Sequence, residues 1–255
     1  MLLRIKKYRF LFEELVKRDF KKKYKRTILG MMWSLLGPLL QLMVMSLVFT
    51  QFFGRDTPHF TIYLFSGMLV YSYFKESTSG GMQSLISNAG IITKVNVPKY
   101  LFLLSKNVSS LINFVLTLVI YFVFVALDGI VFQWKFLLLV YPVICLLIFN
   151  IGVGLVLSAM YVFFKDIQYL YEIFTMMLMY LSAIFYTVGS YPDYIQNLFY
   201  LNPIYNYILY FRTIVLQNAV PSLLLHALCG LYAFISIFIG AMCYKRYNYR
   251  FLYYM

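Results

Sequence analysis

Charged residues are scarce in this chain. Asp, Glu, Lys and Arg make up 12% of its 255 residues, about half of their usual share in a soluble globular domain. Hydrophobic residues make up 62%, and a soluble fold of this length cannot bury that much apolar surface. The composition therefore excludes both a soluble enzyme and a disordered chain, and it predicts one integral membrane domain.

The sequence also lacks the motifs of nucleotide-binding and catalytic sites. It contains no GxxxxGKS or GxxxxGKT phosphate loop, no GxSxG motif and no His/Cys/Asp/Glu cluster with metal-ligand spacing. The three cysteines all lie in apolar runs, which is typical of reduced, buried thiols. We therefore predict no catalytic residue, no metal site and no cofactor in this chain.

Six uncharged runs are long enough to cross a bilayer, which takes about 20 apolar residues in a helix. A seventh run, 194–211, contains Asn202-Pro203. Because the residue before a proline disfavours helix, we predict a re-entrant or interfacial segment there, before the last span. The fold class is thus an all-α membrane protein with six transmembrane helices. The predicted spans cover about residues 28–53, 58–80, 103–127, 136–163, 170–190 and 222–244 of a transmembrane domain, 27–255.

Basic residues are distributed unevenly among the predicted loops. The net charge is +13, and 19 of the 22 Lys and Arg residues lie on one side of the six-span arrangement. The other three, Arg55, Lys135 and Arg212, lie on the opposite side. Since Lys and Arg accumulate in cytoplasmic loops, we predict a multi-pass protein with both termini in the cytoplasm. The positive charge follows the membrane, and no nucleic-acid partner is predicted.

The segment before the first span, residues 1–26, has the pattern of an amphipathic helix. Its apolar face includes Phe12, Leu15, Val16 and Phe20. Arg18 falls on the charged face. This pattern is typical of a helix that lies in the cytoplasmic interface and contacts membrane lipids. Such a helix serves either as an anchor for the topology or as a working gate, and the sequence leaves both open.

The predicted spans carry no carboxylate or ammonium group in their interiors, because all nine acidic residues fall at span ends or in loops. Ion-coupled carriers usually bury such groups. A transporter of this composition is therefore expected to take its energy from a partner. Two alternatives stay open. An ion-coupled carrier would need a buried carboxylate, and a membrane enzyme for lipid-linked glycosyl transfer would need a carboxylate or His site at the membrane surface.

Several motifs occur in an order that resembles a known family. They are Arg18-Asp19-Phe20-Lys21, Leu29-Gly30-Met31-Met32-Trp33, residues 88–98, Phe164-Lys165-Asp166-Ile167 and Leu201-Asn202-Pro203. With these motifs the chain resembles, over nearly its whole length, the membrane subunits of ABC-2 transporters that export polysaccharides and polyol phosphates. Their substrates include O-antigen, capsule, teichoic acid and rhamnose-rich polymers.

The resemblance implies a homodimeric permease with two ABC ATPase subunits, which bind ATP and Mg, in the cytoplasmic (inner) membrane of a bacterium. It implies the outward movement of a lipid-linked glycan, with the N-terminal helix as a gate or interface helix. ABC-2 exporters of drugs or lipids share the fold, so they are the alternative within the same class.

The resemblance also implies a short coupling helix within residues 84–98 that docks on the ATPase. The candidates for this contact, including one residue of the next cytoplasmic turn, are Ser87, Asn88, Ile91, Ile92, Lys94 and Asp166. Pro98 is expected to end the element and to restart the chain toward the third span. The alternative is an ordinary connecting loop.

Tyrosine is dense between residues 186 and 210, where seven occur. Sugar rings pack their CH faces on aromatic rings, and phenol hydroxyls bind sugar hydroxyls. The candidates for a glycan path are Trp33, Tyr186, Tyr191 and Tyr205. The alternative is an aromatic belt at the membrane interface, where Tyr is enriched.

Overall fold

A computed structural model describes residues 8–24, 27–53 and 58–254, and every regular element in those ranges is helical. The α-helices are α1 (Arg9–Tyr24), α2 (Trp33–Phe53), α3 (Phe60–Gln83), α4 (Ala89–Ile92), α5 (Tyr100–Leu127), α6 (Val140–Phe163), α7 (Ile167–Leu181), α8 (Asp193–Phe199), α9 (Pro203–Val215), α10 (Leu223–Tyr247) and α11 (Phe251–Tyr254). Short 3-10 turns precede α2, α4, α6 and α8, at Gly30–Met32, Ile86–Asn88, Trp134–Leu139 and Val188–Ser190. The all-helical fold class is confirmed for this part of the chain. Residues 1–7, 25–26 and Arg55 of the predictions above lie outside the described ranges.

Side-chain caps explain where two of the helices begin. The side chain of Asn202 accepts hydrogen bonds from two backbone amides in the first turn of α9, at 3.0 and 3.4 Å, and Pro203 occupies that turn. The hydroxyl of Ser222 accepts a hydrogen bond of 3.3 Å from the first turn of α10. The Asn202-Pro203 pair therefore divides the run 194–211 between two helices, which is consistent with the predicted break.

The main core lies between α3, α5, α6, α9 and α10. Its largest side chains are almost fully buried: Phe65, Tyr121, Tyr207, Tyr210 and Phe211 are at most 2% exposed. A second cluster joins Leu15 of α1 to the start of α5, the end of α6 and the end of α10. The two clusters hold the N-terminal helix and the long helices in one packed bundle.

Helices α6 and α10 cross with their backbones in direct contact. A Cβ atom on Gly152 would lie 2.3 Å from the carbonyl carbon of Ser236, and one on Gly240 would lie 2.5 Å from the carbonyl oxygen of Gly152. Only glycine permits this approach. Small residues at helix interfaces are a common way to pack helices in membranes, because backbones that touch gain dispersion contacts.

Segments that the charge distribution assigns to the cytoplasm lie together at one end of the bundle. Asp19 of α1 pairs with Lys106 near the start of α5, and Lys99 donates a hydrogen bond to a backbone carbonyl just after α10. At the other end, His59 before α3 pairs with Asp128 after α5. The ends of the helices thus alternate between two sides, as a multi-pass protein requires.

Within the described ranges, three helices are long and apolar enough to cross a membrane, and they correspond to the third, fourth and sixth predicted spans. They are Tyr100–Leu127, Trp134–Phe163 and Leu223–Tyr247. A shorter apolar helix, Trp33–Val48, lies within α2. Helix α3 has 24 residues but contains Lys75 and Glu76.

The fifth predicted span, 170–190, is not a continuous helix. Helix α7 has 15 residues and ends at Leu181, so it reaches about 22 Å, short of the ~30 Å hydrocarbon thickness. Ala183 adopts a left-handed backbone with φ of 50°, which ends the helix. Its carbonyl accepts a hydrogen bond of 2.8 Å from Arg212, and this tertiary contact explains why the helix stops before the apolar run does.

Candidate functional site

The predicted coupling segment, 84–98, folds into a 3-10 turn, the single turn of α4 and an extended exit. Three of its candidate contact residues are exposed: Ser87, Ile91 and Lys94. The other two are buried, with Asn88 4% and Ile92 5% exposed. The Asn88 amide donates a hydrogen bond of 2.7 Å to the carbonyl of Ser84. The segment therefore presents one face outward while two of its predicted contact residues fasten it to the bundle.

Asp166, the sixth candidate for this contact, is exposed at the turn between α6 and α7. The exit of the coupling segment is linked to the C-terminal turn. Lys99 donates a hydrogen bond of 2.5 Å to the carbonyl of Asn248, and its ammonium lies 5.7 Å from the centre of the Phe251 ring. Burial lowers the pKa of Lys99 from its usual range. The exit of the segment is thus joined to both α5 and the C-terminal turn.

Helix α1 is fastened to α5 through Asp19, which is 6% exposed. One carboxylate oxygen accepts a hydrogen bond of 2.8 Å from Arg18 and lies 3.2 Å from the ammonium of Lys106. The other oxygen accepts a hydrogen bond of 3.1 Å from Ser105. A carboxylate buried this deeply needs such partners, because an unpaired buried charge is strongly unfavourable.

The predicted apolar face of α1 is only partly turned toward the bundle. Leu15 is 3% exposed and belongs to the second core cluster. The other three predicted members are partly buried: Phe12, Val16 and Phe20. Phe10 is 80% exposed. An exposed aromatic ring beside a basic stretch suits a helix at a membrane surface.

Three of the candidate tyrosines lie together after α7, around Phe199. The ring centres of Tyr186 and Tyr191 are 6.2 Å apart, and both lie within 6.5 Å of the Phe199 ring. Tyr205 on α9 lies 5.2 Å from the same ring. Tyr205 is only 7% exposed, whereas Tyr191 is 42% exposed. Tyr205 therefore forms the buried base of this aromatic cluster, and Tyr191 offers its open surface.

Arg212 lies beneath the aromatic cluster and is 4% exposed, so it is buried on α9 and does not lie in a loop. Its guanidinium donates hydrogen bonds to the carbonyls of Tyr63 (3.1 Å), Ala183 (2.8 Å) and Ile184 (3.1 Å). It also donates to the hydroxyl of Ser66 at 3.3 Å and stacks on the Tyr63 ring at 3.4 Å. Carbonyl dipoles and a ring face stabilise the buried charge, and no carboxylate does so in the contacts that the described residues make.

Trp33, the fourth candidate for the path, lies elsewhere. It lines a cavity of about 320 Å³ between α2, α3 and α5, together with Glu76 and Asn113. The Asn113 amide donates a hydrogen bond of 2.7 Å to the carboxylate of Glu76. The aromatic cluster is fixed near the start of α3, where the Tyr63 hydroxyl donates to the carbonyl of Tyr186 at 2.6 Å. Tyr63 and Glu76 are about 20 Å apart along α3, so the candidate path residues occupy two separate places.

Three charged residues that are absent from the predicted site occupy central positions. Asp19 holds α1, Glu76 lines the cavity and Arg212 organises the chain after α7. A sequence signal existed for two of them. Glu76 falls near the end of a predicted span, and Arg212 separates two long apolar runs. A charge within a membrane domain indicates a functional or structural site.

Comparison with known proteins identifies the chain's relatives. It is 28% identical over 220 residues to the O-antigen export system permease protein RfbA of Myxococcus xanthus, covering 84% of each chain. It is 26% identical over 247 residues to the protein of the same name from Klebsiella pneumoniae, covering 95% of each. It is 20% identical over 236 residues to the polysialic acid transport protein KpsM of Escherichia coli, covering 91% of this chain and 92% of the relative. The family described as ABC-2 type transporter matches residues 11–216. The chain therefore belongs to the ABC-2 type transporter family.

Proposed function

We propose that this chain is the membrane-spanning permease subunit of an ATP-driven exporter, which moves a lipid-linked cell-surface polysaccharide or teichoic-acid-like polymer outward across the bacterial cytoplasmic membrane. The observation that carries the proposal is the similarity over nearly the whole chain to permeases named for O-antigen and polysialic acid export. The absence of a phosphate loop from the sequence fits a transport subunit whose ATP and Mg²⁺ are bound by partner ATPases.

Coupling to the ATPase is assigned to the outward face of residues 84–98. Ile91 offers apolar contact at the surface, and Lys94 beside it is exposed and suits an acidic partner. Asn88 and Ile92 hold this face to the bundle from within. A force applied at this face reaches α5 through the exit at Lys99, and this is the arrangement that a coupling element needs.

The N-terminal helix is assigned to the membrane interface as a gate. It is tied to the bundle by the buried Leu15 and by the ionic cluster of Asp19 and Lys106, while much of its surface is exposed. A helix that leaves most of one side exposed can move as a unit when its ionic cluster rearranges, because contacts on that side do not oppose the motion.

The proposed assembly is a homodimer with both termini in the cytoplasm and six membrane segments, of which the fifth is the interrupted segment 170–190. Helix α7 buries only Tyr171 and Thr175 within the described chain, and α2 leaves a row of apolar side chains exposed: Leu40, Met43, Val44 and Leu47. A second copy covers such faces in a closed two-fold arrangement. The charge distribution, with 19 of 22 Lys and Arg residues on one side, supports the orientation.

Co-purification with the cognate ATPase tests the partner dependence. The permease alone is expected to hydrolyse no ATP, and co-expression is expected to yield a complex of two permease and two ATPase chains. Ile91→Asp is expected to weaken this complex, because it places a charge in the apolar contact. The control is Gln133→Glu, an exposed polar position between α5 and α6. ATP hydrolysis by the clean permease, or equal complex yields for both variants, would contradict the assignment.

A further inference from the structure

The cavity between α2, α3 and α5 has the make-up of a ligand site. Its volume of about 320 Å³ lies at the lower end of the range for small-molecule pockets, about 300–1,000 Å³. Each of the three helices contributes a polar side chain with an amide or carboxylate group: Gln41 from α2, Glu76 from α3 and Asn113 from α5. The size suits a short unit of a ligand and excludes a long polymer segment.

Glu76 is the feature of this cavity that packing alone does not explain. It lies seven residues before the end of α3 and is partly buried beside the main apolar core. Its carboxylate accepts a hydrogen bond of 2.7 Å from Asn113, a residue that is 6% exposed and fixed on another helix. Acidic groups inside membrane domains are unfavourable unless they have partners, and they mark functional sites by default.

Aromatic rings complete the lining. Trp33 is 41% exposed at one edge of the cavity. Tyr73 and Phe114 line it as well, and their ring centres are 4.6 Å apart. A lining of planar polar groups and ring faces matches a ligand that carries both hydroxyl groups and CH faces.

We propose that this cavity is a binding site for a neutral sugar unit. The Glu76 carboxylate accepts hydrogen bonds from sugar hydroxyls, the Gln41 and Asn113 amides donate to and accept from others, and the Trp33 ring packs on the CH face of the sugar. Glu76 is the charged residue among the described residues that line the cavity. A carboxylate beside two amides offers hydrogen-bond acceptors and donors that suit hydroxyl groups, so the site is assigned to the sugar and not to a phosphate of a lipid-linked glycan. The assignment of this sugar to the exported glycan rests on the proposed function.

Intrinsic fluorescence provides a direct measurement of binding. The chain has two tryptophans, and Trp134 is 68% exposed outside this cavity. The full-length Trp134→Phe permease, reconstituted in phosphatidylglycerol nanodiscs, therefore reports from Trp33 alone. The probe is octyl β-D-glucoside below its micellar concentration. The control probe is octylphosphocholine, which has the same alkyl chain and a phosphate-bearing head. A saturable change is expected with the glucoside and none with the phosphocholine.

Two substitutions separate a sugar site from other occupants. Glu76→Ala is expected to weaken glucoside binding about tenfold or more, because it removes the charged acceptor. Glu76→Gln keeps a planar hydrogen-bonding group and is expected to retain measurable binding. The matched control is Glu172→Gln, an exposed position on α7, which should bind as the parent does. Melting temperatures of all variants show whether each is folded.

Three outcomes would overturn the proposal. The first is equal responses to both probes, which indicate an alkyl-chain site. The second is a response to Na⁺ or ethylammonium that Glu76→Gln abolishes, which indicates a cation site. The third is no response to the glucoside in folded protein. None of these outcomes bears on the proposed binding of the ATPase, which is tested by complex formation. A failure of the sugar-site proposal is therefore distinguishable from a failure of the proposed function.

Discussion

Arg212 joins three segments of the chain through one side chain. It binds the carbonyl of Tyr63 on α3 and the carbonyls of Ala183 and Ile184 after α7, while it is itself part of α9. The fit is close. A Cβ atom on Gly67 would lie 3.0 Å from the guanidinium, so glycine at that position leaves room for the charge. The aromatic cluster is therefore positioned by an arginine that touches none of its exposed rings.

Arg212→Met is expected to lower the free energy of unfolding by several kcal/mol, about 1–3 for each carbonyl that loses its donor. Arg212→Lys is expected to fall between this variant and the parent, because a single ammonium cannot reach acceptors spread around a planar guanidinium. Melting temperatures in detergent measure the effect. Arg250→Met, at an exposed position, serves as the control. A melting temperature for Arg212→Met equal to that of the control would refute the role.

Tyr191 is the tyrosine of the aromatic cluster whose ring is best placed to meet a substrate. Tyr191→Ala is expected to slow export by about tenfold while complex assembly stays unchanged, on the scale of a lost ring-stacking contact. Tyr191→Phe is expected to keep most of the rate, since the ring remains. The control is Tyr169→Ala, which removes a ring that is 67% exposed on α7. Export rates per assembled complex are the measurement, and normal rates for Tyr191→Ala would make the cluster an interfacial belt.

At the scale of helices, the backbones of α6 and α10 come into direct contact. Gly152→Ala is expected to force the two backbones apart and to destabilise the protein by about 1–3 kcal/mol, as overpacking does. Gly189→Ala is the matched control, because no atom lies within 4 Å of the Cβ position there. Thermal unfolding followed by far-UV circular dichroism measures both variants. Equal stability would show that the helices cross less closely than described.

An ionic cluster at Asp19 adds to the attachment of α1 that the buried Leu15 provides. Asp19→Asn keeps the shape of the side chain but removes the charge that pairs with Arg18 and Lys106. A spin label at Phe10, on the exposed side of α1, is expected to become more mobile in this variant once the native cysteines are removed. The control is Glu13→Gln, which breaks only a surface pair with Arg9. Identical spectra for both variants would argue against the gate being held this way.

The helices could be predicted from the sequence where local rules decide. Long apolar runs locate α5, α6 and α10, and Asn202-Pro203 marks the start of α9 by capping. The end of α7 could not be predicted, because no glycine or proline stands at residues 182–184. That end depends on Ala183 meeting Arg212 from a distant helix.

The site was predictable only in outline for a related reason. A cluster of tyrosines in one stretch is visible in the sequence, but which rings are exposed depends on how α9 packs, and Tyr205 turns inward. The pairing of Glu76 with Asn113 depends on the facing sides of two helices. The periodicity of apolar residues and the composition of a chain do not specify which residues of two helices face each other. The cavity therefore could not be predicted.

At the scale of the whole molecule, the proposed mechanism separates three tasks along the bundle. One end carries the outward face of residues 84–98 and α1, the middle of α3 and α5 holds the cavity, and the chain after α7 carries the aromatic cluster. This order places the partner contact, a sugar site and a ring-lined surface in sequence along one direction. This order fits the proposed export, in which the ATPase acts at one end of the bundle and the glycan leaves at the other.

Reconstituted export tests this account most directly. Permease and cognate ATPase are inserted into proteoliposomes with the lipid-linked glycan in the membrane, and glycan reaching the face opposite the ATPase is labelled by an impermeant reagent. We predict labelling that requires ATP, and none with the permease alone or with an ATPase whose catalytic carboxylate is removed. Glycan movement at the same rate without the ATPase, or driven by an ion gradient in place of ATP, would contradict the central claim.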